Sequence, residues 1–159
     1  MDEVLYVLPR TFPHKEYHGA TIEQRLEMLA SIELPVPSSI AISDQGLFLG
    51  IARECRVEFG PEVSLHFLCG RDAAERIIAW NYGETGVVEE MFQEFELLVA
   101  SRGGDFQPPA QFRERIHTLA AGRHDTVSST EVRKRIARGE PWAHLVPESI
   151  VKRVEEIYS

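Results

Sequence analysis

Four short, nearly continuous apolar runs punctuate the chain: residues 4–8 (VLYVL), 39–42 (SIAI), 63–69 (VSLHFLC) and 96–100 (ELLVA). Such runs predict strands covered on both faces, as in a parallel sheet. Between them, apolar residues recur at helical spacing. Ile22, Leu26, Leu29 and Ile32 do so in IEQRLEMLASI, and Thr21 with Gln24 forms a capping-box pattern ahead of it. Asp44 precedes a second predicted helix reaching about Arg56, and residues 72–82 and 87–95 predict two more. Residues 101–109 (SRGGDFQPP) predict a loop, and residues 108–119 an amphipathic segment. Helices are expected over 130–138 and 147–158, with Gly139 just past the first and Pro147 in the first turn of the second. This alternation predicts one α/β domain over residues 1–159, with right-handed crossovers.

Composition narrows the function classes. The chain has 159 residues and a formal net charge of −8, which argues against a broad nucleic-acid face. A small anionic ligand needs only a few local donors and remains open. The two cysteines, Cys55 and Cys69, form no disulfide framework or zinc spacing, so a reducing cytoplasm is the expectation. No apolar run approaches membrane-spanning length. His14 and His18 lie four apart, but flanking prolines and a glycine make that stretch a loop, and no third metal ligand lies nearby. No metal ligand is therefore assigned.

The stretch TVSSTEVR, residues 126–133, places hydroxyl residues before a predicted helix, with Arg133 one turn in. A hydroxyl there caps the helix by accepting a bond from a free backbone N–H. Free N–H groups, hydroxyl donors and a guanidinium together also make an anion site. The segment alone leaves both roles open.

The wider context favours the second. The run VSSTEVRKRIARGEPWAHLVPESIVKRVEEIYS resembles the end of bacterial nicotinate/nicotinamide mononucleotide adenylyltransferases, members of the HxGH nucleotidyltransferase superfamily. The matching residues are Ser128, Ser129, Thr130, Arg133, Gly139, Leu145, Val146, Pro147 and Tyr158. The pantetheine-phosphate branch shares much of this tail. Three other stretches add to the likeness. FPHK, residues 12–15, is similar to a PPHK loop, and RLEML to the helix after it. FLCGRDAAERIIAW is similar to an FxxGxD…W segment through Gly70, Asp72 and Trp80, and LLVASRGG to a strand ending in an RPG turn.

The resemblance implies a Rossmann-like parallel sheet with C-terminal helices. The superfamily signature GxFxPxHxGH is absent from these residues, so no catalytic residue is identified in this chain. In relatives that signature lies on the first, central strand–loop–helix unit, and this chain opens where the second strand would. The expectation is a sheet lacking its central strand, with either a longer natural protein or a sheet completed by swapping or partner contacts.

The implied reaction passes an adenylyl group from ATP to a mononucleotide. Ser128, Ser129, Thr130, Arg133 and Lys15 would hold phosphates. His14, Gly70, Asp72, Trp80 and Arg102 would line the nucleotide and acceptor pocket. Mg²⁺ would come with ATP, and the partners would be small molecules, with a homo-oligomer left open. Arg71, Glu75 and Arg76 depart from the family pattern and leave the acceptor open, including another phosphorylated acceptor or a CTP-using branch. The stretch WNYGETG has no counterpart in that pattern. A homologue that binds nucleotide without turnover is the rival expectation.

Overall fold

The computed structural model describes residues 3–10, 19–34, 36–101, 106–120 and 127–159. Along them run β1 (Val4–Pro9), α1 (Ile22–Ala30), β2 (Ser38–Ser43), α2 (Phe48–Phe59), β3 (His66–Gly70), α3 (Arg71–Ala79), α4 (Val87–Glu94), β4 (Glu96–Ser101), β5 (Ile116–Ala120), α5 (Ser129–Arg138) and α6 (Val151–Tyr158). Short 3₁₀ turns sit at Ala110–Phe112, Ala143–Leu145 and Glu148–Ile150. The chain divides into two compact units, Met1–Leu47 with Val127–Ser159, and Phe48–Thr126.

In the first unit β1 and β2 pair in parallel, from Val4 opposite Ser38 to Pro9 opposite Ser43. The capping box of α1 forms as expected. The Gln24 N–H donates to Thr21 Oγ1 at 3.2 Å, and the Thr21 N–H donates to Gln24 Oε1 at 2.8 Å. Val132, Ile150 and Val154 form this unit's buried cluster, flanked by Met28, Ile136 and Trp142. Tyr158, prominent in the family-like tail, proves structural. Its hydroxyl accepts from the Ala20 N–H at 3.4 Å. Its ring lies 3.0 Å from where a Cβ on Gly19 would stand, and Gly19 has a φ of +143°. Glycine suits that position on both counts.

The second unit holds a parallel sheet in the order β3-β4-β5. Its core is aromatic. Phe48 stacks on Phe67 with centroids 4.7 Å apart, Phe67 meets Phe95 at 4.6 Å, and Phe92 meets Phe112 at 4.7 Å. Leu97 and Val99 of β4 and Met91 of α4 are the largest fully buried side chains among the described residues. Arg56 fastens the end of α2 through Nε to Glu94 Oε2 at 2.8 Å, and through its other nitrogens to the carbonyls of Pro61, Val63 and Glu94.

Parallel strands interleaved with helices agree with the expected Rossmann-like α/β class. Among the described residues β1 pairs with β2 alone in the first unit, and β3 with β4 alone in the second. Four local expectations change. Residues 108–119 form a 3₁₀ turn and then β5, because the Leu97 N–H donates to the Arg115 carbonyl at 2.8 Å and draws the segment alongside β4. The second helix begins at Phe48, since Ser43 Oγ accepts from the Gln45 N–H at 3.0 Å and holds a turn there. The third ends at Ala79, where Trp80 turns extended and the Tyr82 hydroxyl donates to the Ile77 carbonyl at 2.9 Å. WNYGETG is thus a turn: Asn81 Oδ1 accepts from the Gly83 N–H, with Gly83 and Gly86 at positive φ. Finally, Pro147 is extended at ψ 139°, so the last helix opens with a 3₁₀ turn at Glu148 and becomes α-helical from Val151.

Candidate functional site

The helix start at α5 resolves into two sets of residues. Ser128 is the N-cap, and its Oγ accepts from the Glu131 N–H at 3.1 Å. Val132 turns into the buried cluster. Glu131 is held by Arg135, whose Nε lies 2.8 Å from its carboxylate. That hydrogen bond, more than the nearby charges, keeps the Glu131 carboxyl below its ordinary range. Arg135 therefore neutralises the one acid in the first turn. Ser129 and Thr130 are exposed and Arg133 is half-buried. Among the described residues these three side chains make no hydrogen bond or ion pair. A positive helix end, two spare hydroxyls and an uncommitted guanidinium converge on one turn.

Gly70 and Asp72 lie in the other unit, at the carboxyl end of β3. Gly70 is the N-cap of α3 and makes no side-chain cap bond, which leaves the first-turn N–H groups without that partner. A Cβ on Gly70 would meet nothing within 4 Å. Asp72 is the second residue of α3, past the capping position, with its side chain 68% exposed. Trp80 follows α3 and is partly exposed. His14, Lys15 and Arg102 lie outside the described residues. The expected phosphate residues of α5 belong to one unit, and Gly70, Asp72 and Trp80 to the other.

One hydroxyl escaped notice in the sequence. Ser101 ends β4, and its Oγ is buried with no hydrogen-bond partner among the described residues. The signal was present: Leu97 and Val99 alternate onto the buried face, and Ser101 continues that alternation. Among the described residues no group of three or more His, Cys, Asp or Glu is arranged to hold a metal ion. A depression of about 400 Å³ lies at the opposite end of α5 from its hydroxyls, lined by residues including Trp142, His144 and Glu155.

The other end of the three-stranded sheet carries a charged clip. Glu96 Oε2 lies 2.7 Å from His117 Nε2 and 3.5 Å from His66 Nε2, and its Oε1 is 3.3 Å from Arg115. The His117 hydrogen bond leads the causes that lower the Glu96 pKa. A carboxyl lowered on folding contributes stability above its unfolded pKa, which is lost as pH falls through the folded value. Glu96→Gln is expected to lower stability at pH 7 by less than about 1 kcal/mol, the clip being half exposed. It should also flatten the wild-type loss below about pH 4.5. Urea midpoints across pH 3–7 measure both, and an unchanged acid limb would dismiss the clip.

Comparison with known proteins places these features in a family. A model of the cytidylyltransferase-like family matches residues 1–135. A "probable nicotinate-nucleotide adenylyltransferase" of Moorella thermoacetica is 30% identical over 94% of this chain and 74% of its own length. A protein of the same name from Streptomyces coelicolor is 28% identical over 98% of this chain and 84% of its own. A nicotinamide-nucleotide adenylyltransferase of Pyrococcus abyssi is 37% identical over 44% of this chain and 38% of its own.

Proposed function

The chain belongs to the cytidylyltransferase-like family, and from that premise we propose that it serves adenylyl transfer from ATP to a pyridine mononucleotide, a step of NAD biosynthesis. The observation that carries this assignment to particular residues is the start of α5. Ser128 is spent on the cap, while Ser129, Thr130 and Arg133 remain uncommitted at a positive helix end. Structural caps need only the first of these four.

A phosphate oxygen of the mononucleotide attacks the α-phosphorus of ATP. The bond from that phosphorus to the bridging oxygen breaks, and pyrophosphate leaves. No covalent enzyme intermediate is needed, so the protein's work is positioning and charge stabilisation. The first-turn N–H groups of α5, the two hydroxyls and the Arg133 guanidinium hold the β- and γ-phosphates and take up charge as pyrophosphate departs. Lys15, outside the described residues, is proposed to add positive charge. His14 and Arg102, also outside the described residues, are proposed as nucleotide contacts. The bare backbone at Gly70 admits a close ligand approach, Asp72 accepts from a ribose hydroxyl, and Trp80 offers a stacking face. Mg²⁺ would come with ATP and would supply positive charge to the departing pyrophosphate.

A second reading has one observation behind it: GxFxPxHxGH is absent from these 159 residues. In that case the nucleotide site is kept without turnover. The test is incubation with ATP, Mg²⁺ and nicotinate or nicotinamide mononucleotide, following pyrophosphate and dinucleotide together. Equal formation of the two is the expected result. ATP binding without either product favours the second reading, and no ATP binding removes both.

A further inference from the structure

The depression of about 400 Å³ at the carboxyl end of α5 has a volume in the range of small-molecule sites. The described residues that line it fall within 139–155, in the first unit. The chain after α5 shapes it. Gly139 takes the left-handed conformation at φ +67° and ends the helix. Arg135 Nη1 donates to the Pro141 carbonyl at 3.2 Å and ties the next turn back to the helix. Trp142 packs on the cluster of Val132, Ile150 and Val154 and also lines the depression, and Glu155 lines it from α6.

The chemistry of this lining selects a cation. Among the described residues the side chains of Trp142, His144 and Glu155 make no hydrogen bond or ion pair. Glu140 has Arg138 at 3.8 Å, with that side chain 67% exposed, and a pair so placed holds weakly. With His144 neutral, Glu140 and Glu155 are the formal charges of the lining, and both are negative. The partial charge at the carboxyl end of α5 has the same sign. The opposite partial charge at the start of α6 is offset by the preceding 3₁₀ turn, where the Glu148 carbonyl accepts from the Val151 N–H. An anion would meet two carboxylates, and a neutral apolar ligand would desolvate them without return. An indole face attracts a cation, and a guanidinium stacks on it while its edge donates paired N–H groups to a carboxylate.

We propose that this depression binds a small organic cation bearing a guanidinium group, stacked on Trp142 and hydrogen-bonded to Glu155. Glu140 adds negative charge, and the neutral His144 ring offers an acceptor nitrogen. The inference is independent of the function proposed above, which assigns none of these residues to ATP or the mononucleotide.

Isothermal titration of the full chain at pH 8, where imidazoles are neutral, tests the site with butylguanidinium and with butylurea as its uncharged isostere. The wild type should bind butylguanidinium with a Kd of about 1 mM or below, and butylurea at least about tenfold more weakly. Glu155→Gln should weaken butylguanidinium at least about tenfold, the scale of one charge-assisted hydrogen bond. Trp142→Leu should weaken it about two- to fivefold, the loss of an exposed cation–π contact. Trp142 also supports the buried cluster, so the exposed Glu155 is the deciding position should Trp142→Leu fail to fold. Equal binding of butylurea overturns the choice of a cation, and full affinity in Glu155→Gln overturns the site. Tighter binding of an acetylated and amidated Ala-Arg-Ala peptide, by about tenfold or more, overturns the small-molecule class in favour of a protein segment. No binding of butylguanidinium to the wild type at about 10 mM overturns the proposal outright.

Discussion

Arg133→Ala removes at least about half of the rise in melting temperature that ATP gives the wild-type chain. ATP at about 100 times its Kd stabilises a folded site by about 2.7 kcal/mol. For units of this size that is a shift of roughly 11–22 °C. Arg133 is half-buried in the first turn of α5 and makes no ion pair among the described residues, so removing it strands no protein partner. The variant should therefore melt within about 0.5 kcal/mol of wild type without ligand. Loss of a guanidinium bonded to phosphate costs about 1.5–3 kcal/mol of binding, enough to remove about half to nine-tenths of the shift at that ATP concentration. Ser128→Ala provides the contrast. Its hydroxyl caps the helix, so the variant loses about 1 kcal/mol of stability yet keeps most of the ATP response. Differential scanning fluorimetry with and without ATP–Mg²⁺ distinguishes the two. An undiminished ATP shift in Arg133→Ala would reduce the α5 start to a cap.

Phe92→Ala is expected to be the most damaging substitution in the second unit, at about 3–5 kcal/mol. Phe92 is 3% exposed and bridges two aromatic neighbours, Phe95 at 6.1 Å and Phe112 at 4.7 Å. Each such pair adds roughly 0.5–1.5 kcal/mol beyond burial alone. The vacated volume lies where α4 meets the 3₁₀ turn before β5, and Leu97 and Met91 beside it are already fully buried. Little can move to fill it. The two tryptophans report the units separately, Trp80 in the second and Trp142 in the first. Urea titration of Trp80→Phe and Trp142→Phe backgrounds should show the Trp80 transition moving to lower denaturant, by far more than the Trp142 transition. Equal movement of both would mean that the units unfold as one.

Much of this was legible along the chain. The capping box of α1 needed only Thr21 and Gln24 three apart, and the Glu131–Arg135 bond only a spacing of four on a helix. That spacing already sets Arg135 aside and leaves Arg133 for other work. Where the sequence misled, backbone pairing prevailed over side-chain period. Phe112, Ile116 and Leu119 lie at helical spacing, yet Ile116 is buried because it pairs beside Leu97 in a sheet. A parallel strand takes its hydrogen bonds from a distant segment, so periodicity within the strand cannot announce it.

Local spacing and residue type determined the strand-and-helix alternation, the caps, and which hydroxyls and arginines stand at the start of α5. The tertiary structure alone decided which of those groups are already committed. Among the described residues it leaves Arg133 outside any ion pair and Ser101 Oγ buried without a hydrogen-bond partner, and it sets Gly70 at the carboxyl end of β3. The physical reason is that a polar group's availability depends on the neighbours that folding brings to it, and those neighbours come from elsewhere in the chain.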